Sequence, residues 1–241
     1  MRLRNIPHAD DTIKNHSLVI QYPAYHKNKW SEVFGNDNPI HIEIGTGKGR
    51  FILALAKAHP DINFIGIERY SSILLRALER RDFADVQQLT SEAFDTADLP
   101  DKVAVATEEK LENVRFICMD AAAIWDIFGK NEVSKIYLNF SDPWPKARHE
   151  KRRLTSKEFL RRYEKVLIPD GKLEFKTDNV GLFEFSLHEI ERSEWILESA
   201  TYDLHKDAAL NEGNIMTEYE QKFSSMGKPI CKLIGIRRPS K

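Results

Sequence analysis

Three acidic residues follow three successive predicted strands, where carboxylates could bind a small polar ligand. Glu43 stands directly before a turn that contains Gly45 and Gly47. Glu68 ends the second strand and Asp120 ends the third. Glycines permit a tight turn and let backbone amides approach a ligand closely. The spacing G-x-G-x-G differs from the G-x-G-x-x-G of dinucleotide sites, and the chain contains no G-x-x-x-x-G-K-[ST] motif for a nucleotide phosphate.

These acids indicate the chemistry of the ligand. Glu43 can hold an ammonium group, and an acid in the position of Glu68 commonly binds ribose hydroxyls. The carboxylates would repel the phosphates of NAD, but they suit a cationic ligand that carries a ribose and no phosphate. S-adenosylmethionine is such a ligand. The alternative is an ordinary glycine turn with solvated acids; however, a central parallel strand has no solvated face, so an unpaired Glu43 would be costly there.

A second candidate site follows the fourth predicted strand, in the loop Ser141–Lys146. Pro143 and Pro145 bracket Trp144, which stiffens the loop and displays the ring. Asp142 precedes them, and a flat ring beside a carboxylate suits the stacking of a nucleic-acid base. The alternative interpretation places Trp144 in the core and makes Asp142 a turn former.

Basic residues follow this loop directly. The chain as a whole has a net charge of −1, but Lys146 to Lys165 contains nine Lys or Arg against three Glu. Most basic runs are only solvated faces. The position of this one, immediately after the loop that carries Asp142, favours contact with nucleic-acid phosphates.

The predicted elements bring these residues to one edge of a sheet. Strands are predicted at 40–44, 63–67, 114–119, 135–140, 171–177, 195–200 and 230–236. Helices are predicted at 51–58, 71–81, 156–167 and 181–192. Strands that alternate with helices indicate an α/β fold with a doubly wound, mostly parallel, seven-stranded sheet. Ligands of such sheets bind beyond the carboxyl ends of the strands, which is where the candidate residues stand.

The remaining sequence features predict the domain organisation and the cellular compartment of the protein. Residues 1–38 form an N-terminal arm with one short helix, and 39–241 form one domain with an acidic insertion at about 82–112. Cys118 and Cys231 are the only cysteines and no C-x-x-C occurs, so we expect no metal site. There is no secretion signal and no apolar run near the ~18–20 residues that span a bilayer, so we expect a cytoplasmic protein without membrane contact.

Several long motifs together resemble one family, the bacterial single-chain tRNA (guanine-N7)-methyltransferases. They are the Glu43 turn and the segments Pro7–Asp11, Asn139–Lys146, Arg148–Arg153, Phe175–Asn179, Gly181–Glu184 and Gly213–Glu220. The resemblance covers essentially the whole chain except 82–112. It implies a Rossmann-like class I methyltransferase fold. It also implies transfer of the methyl group of S-adenosylmethionine to N7 of a guanine in the variable loop of tRNA.

The resemblance also implies roles for particular residues. Cofactor contacts carry over to Glu43, Glu68, Asp120 and Asp142, with Gly45 and Gly47 in the turn. Substrate contacts carry over to Lys146, Asp178, Thr217, Glu218, Tyr219 and Glu220. RNA contacts carry over to Arg148, His149, Glu150, Lys151, Arg152 and Arg153. From the chemistry of guanine itself, we expect Asp142 or Asp178 to accept hydrogen bonds from its N1–H and N2 amino groups.

Guanine N7 carries a lone pair and no proton, so we expect Asp142 to act as a catalytic counter-charge, not as a base. Two other functions stay open. Amino-group methyltransferases of nucleic acids often have Asp or Asn followed by two prolines and an aromatic residue, whereas only Pro143 separates Asp142 from Trp144. A non-catalytic RNA-binding subunit would not need the acid set. The expected partner is tRNA, and the protein is expected to be a monomer or a homodimer.

Overall fold

The computed structural model describes residues 6–79 and 111–238 of the chain. Of the predicted acidic insertion at 82–112, only Leu111 and Glu112 fall within the described residues. The rest of that prediction lies outside them.

All seven predicted strands are present and form one sheet. They are β1 Ile40–Ile44, β2 Asn63–Glu68, β3 Val114–Cys118, β4 Val133–Asn139, β5 Leu167–Thr177, β6 Trp195–Thr201 and β7 Cys231–Arg237. The strand order is β3-β2-β1-β4-β5-β7-β6. The pairs among the first five strands of this order are parallel, and β7 runs antiparallel to β5 and β6. The order reverses between β1 and β4, which is the switch point where ligands bind in doubly wound sheets.

Helices cover both faces of the sheet, and each face has its own hydrophobic core. The described helices are α1 Ala9–Lys14, α2 Trp30–Phe34, α3 Arg50–Ala58, α4 71–79, α5 Ile124–Ile127, α6 Lys157–Val166, α7 Val180–Glu191, α8 Ala208–Asn211 and α9 Glu218–Ser225. Short 3₁₀ helices lie at Pro23–His26, Ala121–Ala123, Ala147–Arg152 and Leu204–Lys206. No helix in these two described ranges is long and apolar enough to cross a membrane.

The boundary between α6 and β5 differs from the prediction. The predicted helix stripe included Leu167, but the helix ends at Val166 and Leu167 pairs with Val133 as the first residue of β5. Leu167 is fully buried. An apolar residue buried at a helix end and one buried at a strand start look the same in a sequence, so the periodicity could not place the boundary.

The N-terminal segment packs on the sheet instead of extending from it. Residues 6–38 contain two short helices where one was predicted. The indole of Trp30 is 1% exposed, and its Nε1 donates to the carbonyl of Ile127 at 3.0 Å. Val19 forms an isolated parallel bridge with Phe116 at the outer edge of the sheet. The described part of the predicted arm therefore shares its core with the rest of the domain.

The connection from β6 to β7 contains two helices, α8 and α9, that the sequence pattern did not predict. This connection returns over the carboxyl edge of the sheet. Helix α9 contacts the glycine turn and the start of α3. Glu218 Oε2 lies 3.8 Å from Lys48 Nζ, and Arg50 Nη1 donates to Gln221 Oε1.

Candidate active site

The glycine turn after β1 has the backbone conformation that its sequence predicts. Gly45 has φ of 78° and Gly47 has φ of 58°, in the left-handed region that side chains disfavour. The amides of Gly45 and Thr46 both donate to the carbonyl of Ile67, at 2.8 and 3.2 Å. These bonds fasten the turn to β2 and leave a bare backbone surface at the switch point.

Glu43 is buried directly beneath this turn. Its Oε2 accepts a hydrogen bond from Thr46 Oγ1 at 2.7 Å, and its Oε1 accepts one from Asn139 Nδ2 at 2.9 Å. Burial raises the pKa of Glu43 to about 7, although both hydrogen bonds and the nearby Lys176 charge oppose the rise. The argument that Glu43 would be unpaired without a ligand is therefore wrong, because two side chains of the chain itself satisfy it.

Glu68 connects the end of β2 to the glycine turn. Its Oε2 accepts from the Gly47 amide at 3.0 Å, and its Oε1 accepts from the amides of Arg69 and Tyr70 at 2.8 and 3.1 Å. Burial raises the pKa of Glu68, and the Asp142 carboxylate raises it further, whereas the three amides lower it. A carboxylate has about four acceptor positions, so Glu68 keeps roughly one for a ligand.

Asp120 lies on the exposed rim of the same edge. Its Oδ1 accepts from the Ala122 amide at 2.9 Å and so caps the short helix that follows. Its Oδ2 is 3.6 Å from Arg69 Nη1, and both side chains are more than half exposed. Glu68 is close enough to both Glu43 and Asp142 for their charges to interact, and Asp120 lies at the exposed rim beside Glu68.

The loop after β4 presents Asp142 to solvent in a strained backbone. Phe140 has φ of 51° and Trp144 has φ of 42°, both unusual for bulky residues. The Trp144 side chain is half-buried. The guanidinium of Arg152 lies 5.0 Å from its ring centre, and the ring centre of His149 lies 5.6 Å away with the two planes nearly perpendicular. Trp144 is therefore neither a core residue nor a freely displayed ring.

The basic run divides into exposed residues and one that turns inward. Arg148, Lys151 and Arg152 are exposed, as is Glu150. Arg153 is half-buried and donates to the carbonyls of Pro143 and Trp144, at 3.0 and 3.2 Å.

The residues assigned to the substrate occupy different environments. Lys146 is exposed at the start of the 3₁₀ helix, and Asp178 is half-buried just after β5. Thr217 Oγ1 accepts from the Glu220 amide at 3.0 Å and caps α9. The exposed Tyr219 ring stacks on Phe140, with ring centres 6.0 Å apart.

Glu220 lies in the interior, paired with a lysine that the sequence reading missed. Its Oε2 is 2.7 Å from Lys176 Nζ, and both side chains have no exposed surface. Lys176 also donates to Asn214 Oδ1 at 3.1 Å and to the Ile215 carbonyl at 3.0 Å. Burial lowers the pKa of Lys176, and Glu220 counteracts that shift. In the sequence Lys176 is only one of several charged residues of β5, with Lys172 and Glu174, and nothing local identifies its partner 44 positions later.

We expect the affinity for a cofactor ammonium to fall as the pH is lowered through about 7, the pKa of Glu43. An acid with a raised pKa is neutral below that pH, so its attraction for a cation is present above the pKa and lost below it. In the limit the affinity falls about tenfold per pH unit. An α-amino group has a pKa of about 7.7–8.0 and stays mostly protonated below pH 7, so the fall in affinity between pH 7 and 5.5 reports Glu43 and not the ligand.

Calorimetric titration with S-adenosylmethionine between pH 5.5 and 7.5 measures this dependence. Glu43→Gln keeps the size of the side chain but cannot ionise, so its affinity should be severalfold weaker at pH 7.5 and flatter with pH. A Glu43→Gln profile parallel to that of the unaltered protein would contradict the assignment of Glu43 to the ammonium group.

Comparison with known proteins identifies the family. Residues 37–233 match a family model described as "Putative methyltransferase". The chain is 52% identical over 237 residues to the tRNA (guanine-N(7)-)-methyltransferase of Lachnoclostridium phytofermentans, covering 98% of this chain and 99% of that protein. It is 46% identical over 233 residues to the protein of the same name from Bacillus subtilis, covering 96% of this chain and 97% of that protein.

A solved structure of an antibiotic-related methyltransferase has the same fold. It superposes with a TM-score of 0.58 at 17% identity and covers 87% of this chain and 93% of its own. This likeness confirms the Rossmann-like class I methyltransferase fold. The chain belongs to the tRNA (guanine-N(7)-)-methyltransferase family.

Proposed function

We propose that the protein transfers the methyl group of S-adenosylmethionine to N7 of a guanine in the variable loop of tRNA. Relatives that match nearly the whole chain are named tRNA (guanine-N(7)-)-methyltransferases. The observation that carries the proposal is the convergence of Glu43, Glu68 and Asp142 at the switch point of the sheet. We propose further that the protein is cytoplasmic, acts as a monomer or homodimer, and consists of an N-terminal segment 1–38 and a catalytic domain 39–241.

The residues at the switch point fit the cofactor. The left-handed glycine turn offers bare backbone, and at Gly45 and Gly47 no atom of the described residues, apart from the immediate chain neighbours, lies closer than 4.0 Å to the position that a Cβ would take. Glu43 would face the ammonium group, Glu68 would use its remaining acceptor position for a ribose hydroxyl, and Asp120 would lie at the rim of the site. When bound, S-adenosylmethionine supplies a methyl group on a positively charged sulfur.

The chain's own residues have two tasks in the transfer. Guanine N7 attacks with its lone pair, so the N7–carbon bond forms as the carbon–sulfur bond breaks and no proton is removed. The positive charge moves from the sulfur to the guanine ring. Asp142, held after β4, stabilises that charge, and the residues around it orient the two reactants and exclude water. The base must leave its stack to reach this edge of the sheet.

The nucleophilic atom distinguishes this proposal from its rivals. We would incubate the protein with methyl-labelled S-adenosylmethionine and a tRNA transcript made with guanosine or with 7-deazaguanosine, which has carbon in place of N7. Label should enter only the ordinary transcript. Equal labelling of both would support the amino-group methyltransferase, and cofactor binding without any transfer would support the non-catalytic subunit.

We expect the exposed basic residues to supply phosphate contacts. Arg148→Ala combined with Lys151→Ala should weaken tRNA binding and reduce the slope of log affinity against log salt by roughly 0.7–0.9 for each lost contact. Binding measured between 50 and 200 mM salt gives the slope. Lys57→Ala combined with Lys130→Ala removes the same charge from exposed positions outside the basic run and should leave the slope unchanged. Equal slopes in both double variants would mean that the basic run is only a solvated face.

A further inference from the structure

The guanidinium of Arg153 points into the protein, unlike those of its basic neighbours. Its Nε donates to the Pro143 carbonyl at 3.0 Å and its Nη2 to the Trp144 carbonyl at 3.2 Å. Its Cζ lies 4.3 Å from the centre of the Phe185 ring on α7. One planar group is thus bonded to the loop on its edge and packed against a helix residue on its face, which is a geometry that a guanidinium fits and an ammonium does not.

The loop that receives these bonds has few backbone donors of its own. Pro143 and Pro145 have no N–H group, so two donors that could close a turn are missing. Trp144 is held at φ of 42°, a conformation that a bulky residue keeps only where its surroundings impose it. Arg153 supplies two such restraints, because it donates to the carbonyls of Pro143 and Trp144.

Arg153 itself is firmly anchored. Its amide donates to the Glu150 carbonyl at 3.0 Å, and its carbonyl accepts from the Ser156 amide at 3.0 Å. Two residues further on, Thr155 Oγ1 and Ser186 Oγ are 2.7 Å apart in the interior, so the segment is tied to α7. The Arg153 side chain therefore connects the loop to a segment that is itself bonded to α7.

We propose that Arg153 is a positioning residue, which holds the loop 141–145 in the conformation that presents Asp142, and that it does not contact RNA phosphate. This inference rests on the proposed function, because Asp142 is assigned its role there. It separates Arg153 from Arg148 and Lys151, whose charges face solvent and are available to the nucleic acid.

NMR spectroscopy tests the role of Arg153 without reference to catalysis. In Arg153→Lys and Arg153→Met, the amide resonances of Asp142 and Trp144 should shift and broaden, because the two hydrogen bonds that hold the loop in one conformation are lost. Amide resonances from β5 should keep their positions. Arg148→Met, which removes an exposed arginine five positions earlier, should leave the two loop resonances unchanged. Unchanged loop resonances, or equal changes over the whole chain in both Arg153 variants, would overturn the proposal.

Kinetics then separate positioning from RNA contact. In Arg153→Lys, kcat should fall by roughly 10–100-fold, as for a small misplacement of a reacting group. Its KM for tRNA and its salt slope should stay close to those of the unaltered protein, whereas Arg148→Ala should change the salt slope instead. A reduced salt slope with normal kcat in Arg153→Lys would overturn the proposal. If the loop resonances change in the Arg153 variants but Asp142→Asn remains active, Arg153 still holds the loop and the role of Asp142 fails.

Discussion

Asp142→Asn is expected to lower the single-turnover rate of tRNA methylation by roughly 10²–10³, the effect of losing one preorganised electrostatic group. The substitution keeps the shape and hydrogen-bonding capacity of the side chain but removes the charge that faces the developing guanine cation. We also expect the Asp142 carboxylate to attract the cationic sulfonium of the cofactor, so cofactor binding can weaken as well. Rates should therefore be compared at saturating S-adenosylmethionine.

The pH profile and a control variant complete this test. Because N7 has no proton to lose, the profile at saturating cofactor should lack a limb that disappears in Asp142→Asn. Asp126→Asn removes a carboxylate from an exposed position on α5 and should leave the rate unchanged. Near-normal turnover by Asp142→Asn would contradict the proposed role of Asp142 and would move it to Asp178.

Lys176→Met is expected to destabilise the protein by about 3–5 kcal/mol, because it leaves the Glu220 carboxylate buried without its partner. The free energy of unfolding from urea denaturation measures this loss. Replacing both members, as in Lys176→Met/Glu220→Met, should recover most of it, since apolar side chains of similar volume often substitute for a buried ion pair. A single variant as stable as the unaltered protein would show that the pair contributes little.

The double variant also decides between two roles of Glu220. The resemblance assigns Glu220 to the substrate, whereas the structure gives it no exposed surface. Its carboxylate accepts hydrogen bonds from Lys176 and Asn214, and His205 Nε2 lies 3.4 Å from it. If its role is to hold the connection that carries α9, the folded double variant should retain tRNA methylation. A folded double variant with normal cofactor affinity and no methylation would support the substrate role.

The strands were predictable from the sequence because their buried apolar residues alternate or run together and end at a glycine or an acid. Ile40, Ile42 and Ile44 alternate up to Gly45, and the run from Phe64 to Ile67 ends at Glu68. The helix α9 was not predicted because its buried side is formed by Glu220, a charged residue whose partner lies in β5. An amphipathic pattern cannot reveal a helix that buries a charge.

The positions of the candidate residues were predictable, but their partners were not. Strand ends fix where Glu43, Glu68 and Asp142 stand, since parallel strands bring their carboxyl ends to one edge. The hydrogen bond of Glu43 to Asn139 depends on the pairing of β1 with β4, and its bond to Thr46 depends on the conformation of the glycine turn. Within Arg148 to Arg153, the residue letters alone could not show that the last arginine turns inward, because its acceptors are backbone carbonyls.

Mapping the methyl group in tRNA tests the central claim most directly. Purified protein, S-adenosylmethionine and an unmodified tRNA transcript would be combined, and the tRNA would be digested and analysed by mass spectrometry for modified nucleosides and their positions. We expect a single N7-methylguanosine in the variable loop, and none with Asp142→Asn over the same time. A methyl group on an exocyclic amine, on another base or outside the variable loop would contradict this account.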